Sequence, residues 1–458
     1  MGDYGTGKTI ILMAVAKKVM KMGLKVVYIN GLDHVDLFFN YYYKTTEDVL
    51  DVIVKSMFGS VAEVLDIGTL RLNYLSRHPE LRETLRVDTL ELINDYITSL
   101  GSAKDTVVSP HSTLNTKSLL TLIVQVLCDE LHLGGIEAWG GPGHNLSGVQ
   151  KLLENMRDTF HMAWVVPSTS SLVDDYAADV RPGDLTSLAK EAGFSLVPLV
   201  NVMRNSSSIS SAVSPDNIKI KHPNETFTSP IPSGDCSSST VIGPRPSWLM
   251  FKCDKSRDFS YRPDHRVIAG CVNQFLKDRE QIKQIAILCD RTVSPRELLP
   301  LLSVTGRNLI LYDAGVEAFK KIYEPHYYEA DLVKQRKDLV DWLETGGILL
   351  THDKMFRGCE AETVVFVTDC WGGVFGVQRR GGATRAVADL GLVTDAWVLS
   401  SDGRGREKYD QKRGQIRQHF ELINVLETED GDFKFEMSDV PSEALGLPPP
   451  FHIINPLA

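Results

Sequence analysis

Short apolar runs alternate with amphipathic stretches along most of this chain. From Lys25, the run Val26-Val27-Tyr28-Ile29 reads as a buried strand, and it follows an apolar-periodic helix over residues 9–22. Runs of the same character recur at 122–128, 162–166, 285–289, 308–312, 348–351 and 363–367, most of them separated by amphipathic segments. Strand-helix-strand alternation predicts parallel sheets, here in two α/β units. Between the units, residues 205–247 carry twelve Ser and six Pro. So few large apolar groups cannot offset the ordering entropy, and the stretch reads as a linker or long surface excursion. Residues 34–115 combine helical patterns at 65–75 and 87–100 with the aromatic cluster Phe38-Phe39-Asn40-Tyr41-Tyr42-Tyr43. They are expected to form a helical insertion, its aromatics serving either as packing or as stacking platforms for exposed bases.

Composition narrows this picture only modestly. At roughly 150 residues per domain, 458 residues allow two or three domains, and 43% hydrophobic with 24% charged is ordinary for a soluble chain. The longest apolar stretch, Ile10-Ile11-Leu12-Met13-Ala14-Val15-Ala16, falls far short of the roughly 20 residues a membrane span needs. With no charged-then-apolar leader at the start, neither secretion nor membrane insertion is expected. Cys128, Cys236, Cys253, Cys271, Cys289, Cys359 and Cys370 make an odd count without a CxxC pair. They read as thiols of a reducing cytoplasm or nucleus rather than a disulfide framework or zinc site. A net charge of −10 gives no global attraction to a polyanion, so a nucleic-acid partner would need a local basic groove. Residues 404–417 hold six basic and two acidic residues, and 427–443 hold seven acidic residues and one lysine. Such blocks read as solvated surface, making 404–458 a charged tail.

The sharpest chemical signal is Gly2-Asp3-Tyr4-Gly5-Thr6-Gly7-Lys8-Thr9, which fits G-x-x-x-x-G-K-[ST] and runs straight into a helical pattern. Glycines let backbone N–H groups turn inward around phosphates, Lys8 reaches the β and γ oxygens, and Thr9 offers a hydroxyl to Mg²⁺. Gly5, Thr6, Gly7, Lys8 and Thr9 are therefore the candidate nucleotide-binding residues. A loop of this kind normally follows a buried strand, yet only Met1 precedes Gly2. The first lobe is accordingly expected to lack its initial strand, as in an N-terminally truncated chain. Hydrolysis also needs one carboxylate for the metal and one for the attacking water. The run Ile123-Val124-Gln125-Val126-Leu127-Cys128-Asp129-Glu130 ends in both, with Asp129 placed for Mg²⁺ beside Thr9 and Glu130 for water.

Together with these two motifs, three further segments make the chain resemble the UvrD/Rep-like group of superfamily-one helicases. Leu350-Thr351-His352-Asp353-Lys354-Met355-Phe356-Arg357-Gly358-Cys359-Glu360, followed by an apolar strand, is similar to motif V. Ala383-Thr384-Arg385-Ala386 before Leu390-Gly391-Leu392-Val393 is similar to motif VI, and Asn201-Val202-Met203-Arg204-Asn205-Ser206 to motif IV. The five motifs fall in family order across residues 2–393. The resemblance implies two RecA-like P-loop NTPase lobes, over residues 1–204 and 248–403, with ATP and Mg²⁺ as ligands. Gly358 and Glu360 then fall on the nucleotide-contacting segment, Glu360 at the acid that touches the ribose. Arg385 and Arg204 fall on γ-phosphate contacts, and Arg385 reaches across from the second lobe.

The sequence also departs from the family. Motif III carries G-D-x-x-Q, whereas Trp164-Val165-Val166-Pro167-Ser168-Thr169-Ser170 has no glutamine, and Ser168 or Thr169 stands nearest to it. Arg357 stands where the family has lysine, and the upstream glutamine motif that reads adenine would lie before Met1. The duplex-splitting subdomains look shortened or absent. The expected function is an ATP-binding and ATP-hydrolysing motor on nucleic acid, DNA or RNA. The alternative is a nucleotide-dependent switch or scaffold that keeps the ATPase body without unwinding.

Overall fold

The computed structural model describes residues 7–31, 49–58, 62–79, 89–107, 124–131, 146–160, 162–167, 182–197, 199, 204–213, 241–251, 264–277, 279, 281–290, 293–303, 307–313, 325–356, 358–368, 383–395, 417–428, 430 and 432–437. They form two compact units, the first drawn mainly from residues 1–201 and the second mainly from 202 onward. The architecture is mixed α/β.

In the first unit, α1 (Lys8–Lys21) leads into β1 (Lys25–Asn30). Leu12, Ala16 and Val19 recur at helical spacing and are buried, and Lys18 and Lys21 sit in the last turn, where cations favour the negative end of the helix dipole. Gly23, at φ 76°, ends the helix: its N–H donates to Met20 O, while Leu24 N–H reaches back to Val19 O. There follow α2 (Val49–Phe58), β2 (Ala62–Asp66), α3 (Ile67–Arg77), α4 (Thr89–Val107), β3 (Val124–Leu131), α5 (Leu146–Thr159), β4 (Ala163–Pro167) and α6 (Pro182–Glu191). The four strands pair in parallel in the order β2-β1-β3-β4. Val27 and Ile29 of β1 pack on one face with Leu70 and Tyr74 of α3, Ile93 and Ile97 of α4, and Leu152 and Met156 of α5.

The second unit contains α7 (Ser207–Ala212), β5 (Ser247–Phe251), α8 (His265–Lys277), β6 (Gln284–Cys289), α9 (Pro295–Leu298) and β7 (Leu309–Tyr312). After α10 (Pro325–Thr345), of which residues 337–345 fall in this unit, come β8 (Gly347–His352), β9 (Ala361–Thr368), β10 (Ala386–Asp395), β11 (Glu421–Glu427) and β12 (Phe433–Met437). The sheet order is β12-β11-β5-β10-β9-β6-β8-β7, parallel throughout except for the antiparallel β11–β12 hairpin. Strands β5, β6, β8 and β9 are buried over nearly their whole length, as a parallel sheet covered on both faces requires. Gly346, at φ 82°, makes the turn from α10 into β8, and a Cβ there would stand 2.4 Å from Lys283 O.

Three expectations about organisation need correction. The segment 34–115 is not purely helical, because Ala62–Asp66 pairs with β1 as a full member of the first sheet. Two acids in those five residues hide the strand, and α3 follows it without a break. Arg204 and Asn205 belong to the second unit, and residues 207–212, read as linker, form α7. Nor is 404–458 only a charged tail, since β11 and β12 extend the second sheet. The aromatic cluster Phe38–Tyr43, residues 214–240 and the basic positions Arg404 to Arg413 lie outside the described residues. Among the described residues, no helix is long and apolar enough to cross a membrane.

Candidate functional site

Helix α1 begins at an N-cap, Gly7, that has no side chain to offer its first amides. Gly7 adopts φ 83°, ψ 19°, a left-handed conformation that only glycine visits readily, and among the described residues no side chain caps the helix. No acid occupies the first turn to neutralise the positive end of the dipole. Lys8 and Thr9, each 9% exposed, are its first two residues. Gly5 and Thr6 lie outside the described residues.

The strands beside α1 bring the acidic pair to the same sheet. Asp129 stands opposite Asn30 at the carboxyl end of β1. Against β4 the register advances three residues on β3, from Cys128 to Leu131, for two on its partner, from Val165 to Pro167. Asp129 and Glu130 therefore occupy a local bulge, a feature that redirects the chain at a strand end. Asn30 was not singled out from the sequence. It is buried and donates from Nδ2 to Asp51 Oδ1 at 3.1 Å, linking the end of β1 to the first turn of α2. The only advance signal was a polar residue closing an apolar run. The Trp164-Val165-Val166 stretch forms β4, and Ser168 and Thr169 lie outside the described residues.

Within the second unit, the segments resembling motifs IV, V and VI meet. Arg204 Nε donates to Glu360 Oε2 at 2.7 Å, and its Nη1 reaches Thr384 O at 3.5 Å. Asn205 Nδ2 donates to Thr384 O at 2.8 Å and Ala386 O at 2.6 Å. Ser206 N–H donates to Val387 O, while its hydroxyl accepts from Ile209 N–H and caps α7. Ala361 N–H donates to Arg385 O at 3.2 Å, so the start of β9 is fixed to the start of β10. Gly358, at φ 75°, makes the turn that delivers Glu360 to this point. Arg385 is only 5% exposed. Lys8, Thr9, Asp129 and Glu130 thus belong to the first unit, and Arg204, Gly358, Glu360 and Arg385 to the second.

A further polar group sits at the carboxyl ends of β6 to β9. Strands β6 and β9 are neighbours whose onward connections leave in opposite directions, to β7 and to β10. Thr368 Oγ1 donates to Asp290 Oδ2 across that switch point at 2.9 Å. Nearby, Arg296 Nε donates to the buried Asp313 at 2.9 Å, with His352 Nε2 3.7 Å from the same carboxylate. Burial first, then the carboxylates of Asp353, Asp290 and Asp313, push the Cys289 thiol well up from its ordinary value. Thiols raised by burial in this way are poor nucleophiles.

Comparison with known proteins adds little. No family model matches the chain, and no curated protein matches it. Among solved structures it is similar to the C-terminal domain of a possible DNA helicase from Lactobacillus plantarum WCFS1, with a TM-score of 0.26. The two are 11% identical over 48% of this chain and 98% of that one. A likeness at that score fixes neither a fold family nor the role of any residue.

Proposed function

We propose that the chain binds and hydrolyses a nucleoside triphosphate with Mg²⁺, as a helicase-like motor on nucleic acid built from two RecA-like lobes. The observation that carries this reading is the start of α1: a left-handed Gly7, no side-chain cap, and buried Lys8 and Thr9 in the first turn. Uncapped amides, a lysine and a hydroxyl make a donor set for a polyphosphate, and it fits G-x-x-x-x-G-K-T. Thr9 and Asp129 are the residues to hold Mg²⁺, which when bound neutralises charge on the phosphate oxygens. Lys8 binds the β and γ phosphates, and Glu130 accepts a proton from the attacking water. Arg204 and Arg385 stabilise charge on the transferring phosphate, with Glu360 and Gly358 on the nucleoside side.

The decisive measurement is steady-state ATP turnover with and without single-stranded DNA or RNA. Lys8→Ala should abolish turnover, and wild-type activity in that variant would remove the phosphate-loop assignment. Glu130→Gln should keep Mg·ATP binding while slowing hydrolysis, and equal loss of both would make Glu130 structural. Stimulation by an oligonucleotide marks a motor. Turnover indifferent to oligonucleotides marks the nucleotide switch, a reading favoured by the net charge of −10.

A further inference from the structure

Strand β12 is the outermost strand of the second sheet and, among the described residues, pairs on one side only. Its register against β11 runs without interruption from Ile423↔Met437 to Glu427↔Phe433. Thr428 N–H donates to Asp432 O at 2.8 Å in the same register, so that opposed pair is hydrogen-bonded. Antiparallel ladders alternate, which makes Leu426↔Lys434 and Asn424↔Glu436 the next hydrogen-bonded pairs. The N–H and C=O groups of Phe433, Phe435 and Met437 consequently face away from β11, toward the open edge.

The side chains divide equally cleanly. Phe433 and Phe435 pack on the second core, and Phe433 lies so close to α8 that a Cβ on Gly270 would stand 2.5 Å from its ring. Lys434 and Glu436 share the opposite face, Nζ to Oε1 2.7 Å, with both side chains exposed. Met437 is 58% exposed.

Proteins usually blunt an open edge with a lone charge, which deters pairing with another strand. Here the charge comes with its complement two residues along. Antiparallel pairing of Phe433-Lys434-Phe435-Glu436-Met437 with itself, centred on Phe435, sets Lys434 opposite Glu436 and Phe433 opposite Met437, each twice by two-fold symmetry. Slipping the register by two residues puts Lys434 against Lys434 in one direction and Glu436 against Glu436 in the other. Like charges directly opposed are destabilising, so only the centred register is favoured. We propose that β12 is a self-association edge, pairing antiparallel with β12 of a second copy of this chain and joining two sheets into one.

The test is sedimentation of the full chain over a concentration series at low and high salt. The mass should rise to twice that of a single chain, more readily at low salt. Lys434→Glu alone and Glu436→Lys alone should each weaken association at least about tenfold, because two like-charged contacts face each other. Mixing the two variants should restore it, since the doubly acidic edge of one then faces the doubly basic edge of the other, a rescue that can arise only between chains. Amide exchange supplies a readout independent of any variant: the Phe435 N–H should gain protection as concentration rises. A single-chain mass throughout, a mixture no tighter than its parts, or a Phe435 amide indifferent to concentration would each overturn the proposal.

Discussion

Arg204 Nε lies 2.7 Å from Glu360 Oε2, joining two side chains 156 positions apart in the sequence. Arg204 is 11% and Glu360 41% exposed at the side chain, so water screens the pair from one side. An exposed or half-exposed ion pair contributes at most about 1 kcal/mol to stability. If Arg204 serves the γ-phosphate, the value of Glu360 lies in aiming the guanidinium as well as in meeting the ribose. Glu360→Gln is therefore expected to shift unfolding by less than about 1 kcal/mol while lowering ATP turnover about tenfold. Thermal unfolding and turnover measured on the same preparation check both halves, and a large stability loss with unchanged kinetics would make the pair purely structural.

Asn205 is the firmer structural anchor, because its buried amide holds the carbonyl of Thr384 just before β10 and that of Ala386 at its first residue. Asn205→Ala withdraws a donor from both Thr384 O and Ala386 O and should cost about 1–3 kcal/mol. Asn205→Asp should cost more, since a buried carboxylate would face two carbonyl oxygens. Urea unfolding followed by tryptophan fluorescence is the check, with Trp248 and Trp342 reporting on the second unit. An Asp variant as stable as wild type would contradict the assignment of the amide nitrogen to this contact.

The strands legible in the sequence include four that are buried on both faces, although the equally buried β5 is not among them. β1, β6, β8 and β9 are runs of Val, Ile, Leu and Phe because a covered parallel sheet leaves no polar side. β2 carries Glu63 and Asp66, and β12 alternates Phe with Lys and Glu inside an acidic block, so neither shows the unbroken apolar run of a covered strand. At the candidate site, the sequence marks Gly7, Lys8 and Thr9 because the motif they fit has fixed spacing over a few residues. The Arg204–Glu360 contact was not, for it depends on β9 and β10 lying in parallel register. Asn205 was quoted in a motif but gave no sign of its bonds, because a lone Asn carries no pattern.

His419, just before β11, gives a pH test. Burial, and then the positive charge of Arg245, lower its pKa from the ordinary value of about 6.5. Arg245 is held nearby by donating from Nη2 to Arg417 O and Gln418 O. With the folded value depressed, the unfolded chain takes up the proton first. The contribution is complete above about pH 6.5 and is lost as pH falls from there through the folded value. His419→Gln should remove part of the stability slope below about pH 6.5, and parallel slopes for variant and wild type would show that other groups set it.

Arg385 offers the sharpest separation between a structural and a chemical role. Its carbonyl accepts from Ala361 N–H, so the backbone at this position is tied into the sheet whatever side chain it carries. Substituting the side chain should leave β9 and β10 in register, and their far-ultraviolet signature should not change. As a γ-phosphate contact, the guanidinium would stabilise charge that grows in the transition state, a role worth about 10³ or more in rate for related NTPases. Arg385→Ala is then expected to lower kcat by that order while changing the affinity for ATP far less. Arg385→Lys should recover little, because an ammonium cannot reproduce the planar fork of five donors. A merely buried arginine predicts the opposite pattern: lost stability in both variants, greater for Ala, with kcat per folded molecule unchanged. Turnover normalised to the folded fraction distinguishes the two. If Arg385→Ala hydrolyses ATP at the wild-type rate, the likeness of 383–386 to motif VI is coincidental and the helicase-like reading of the second unit falls with it.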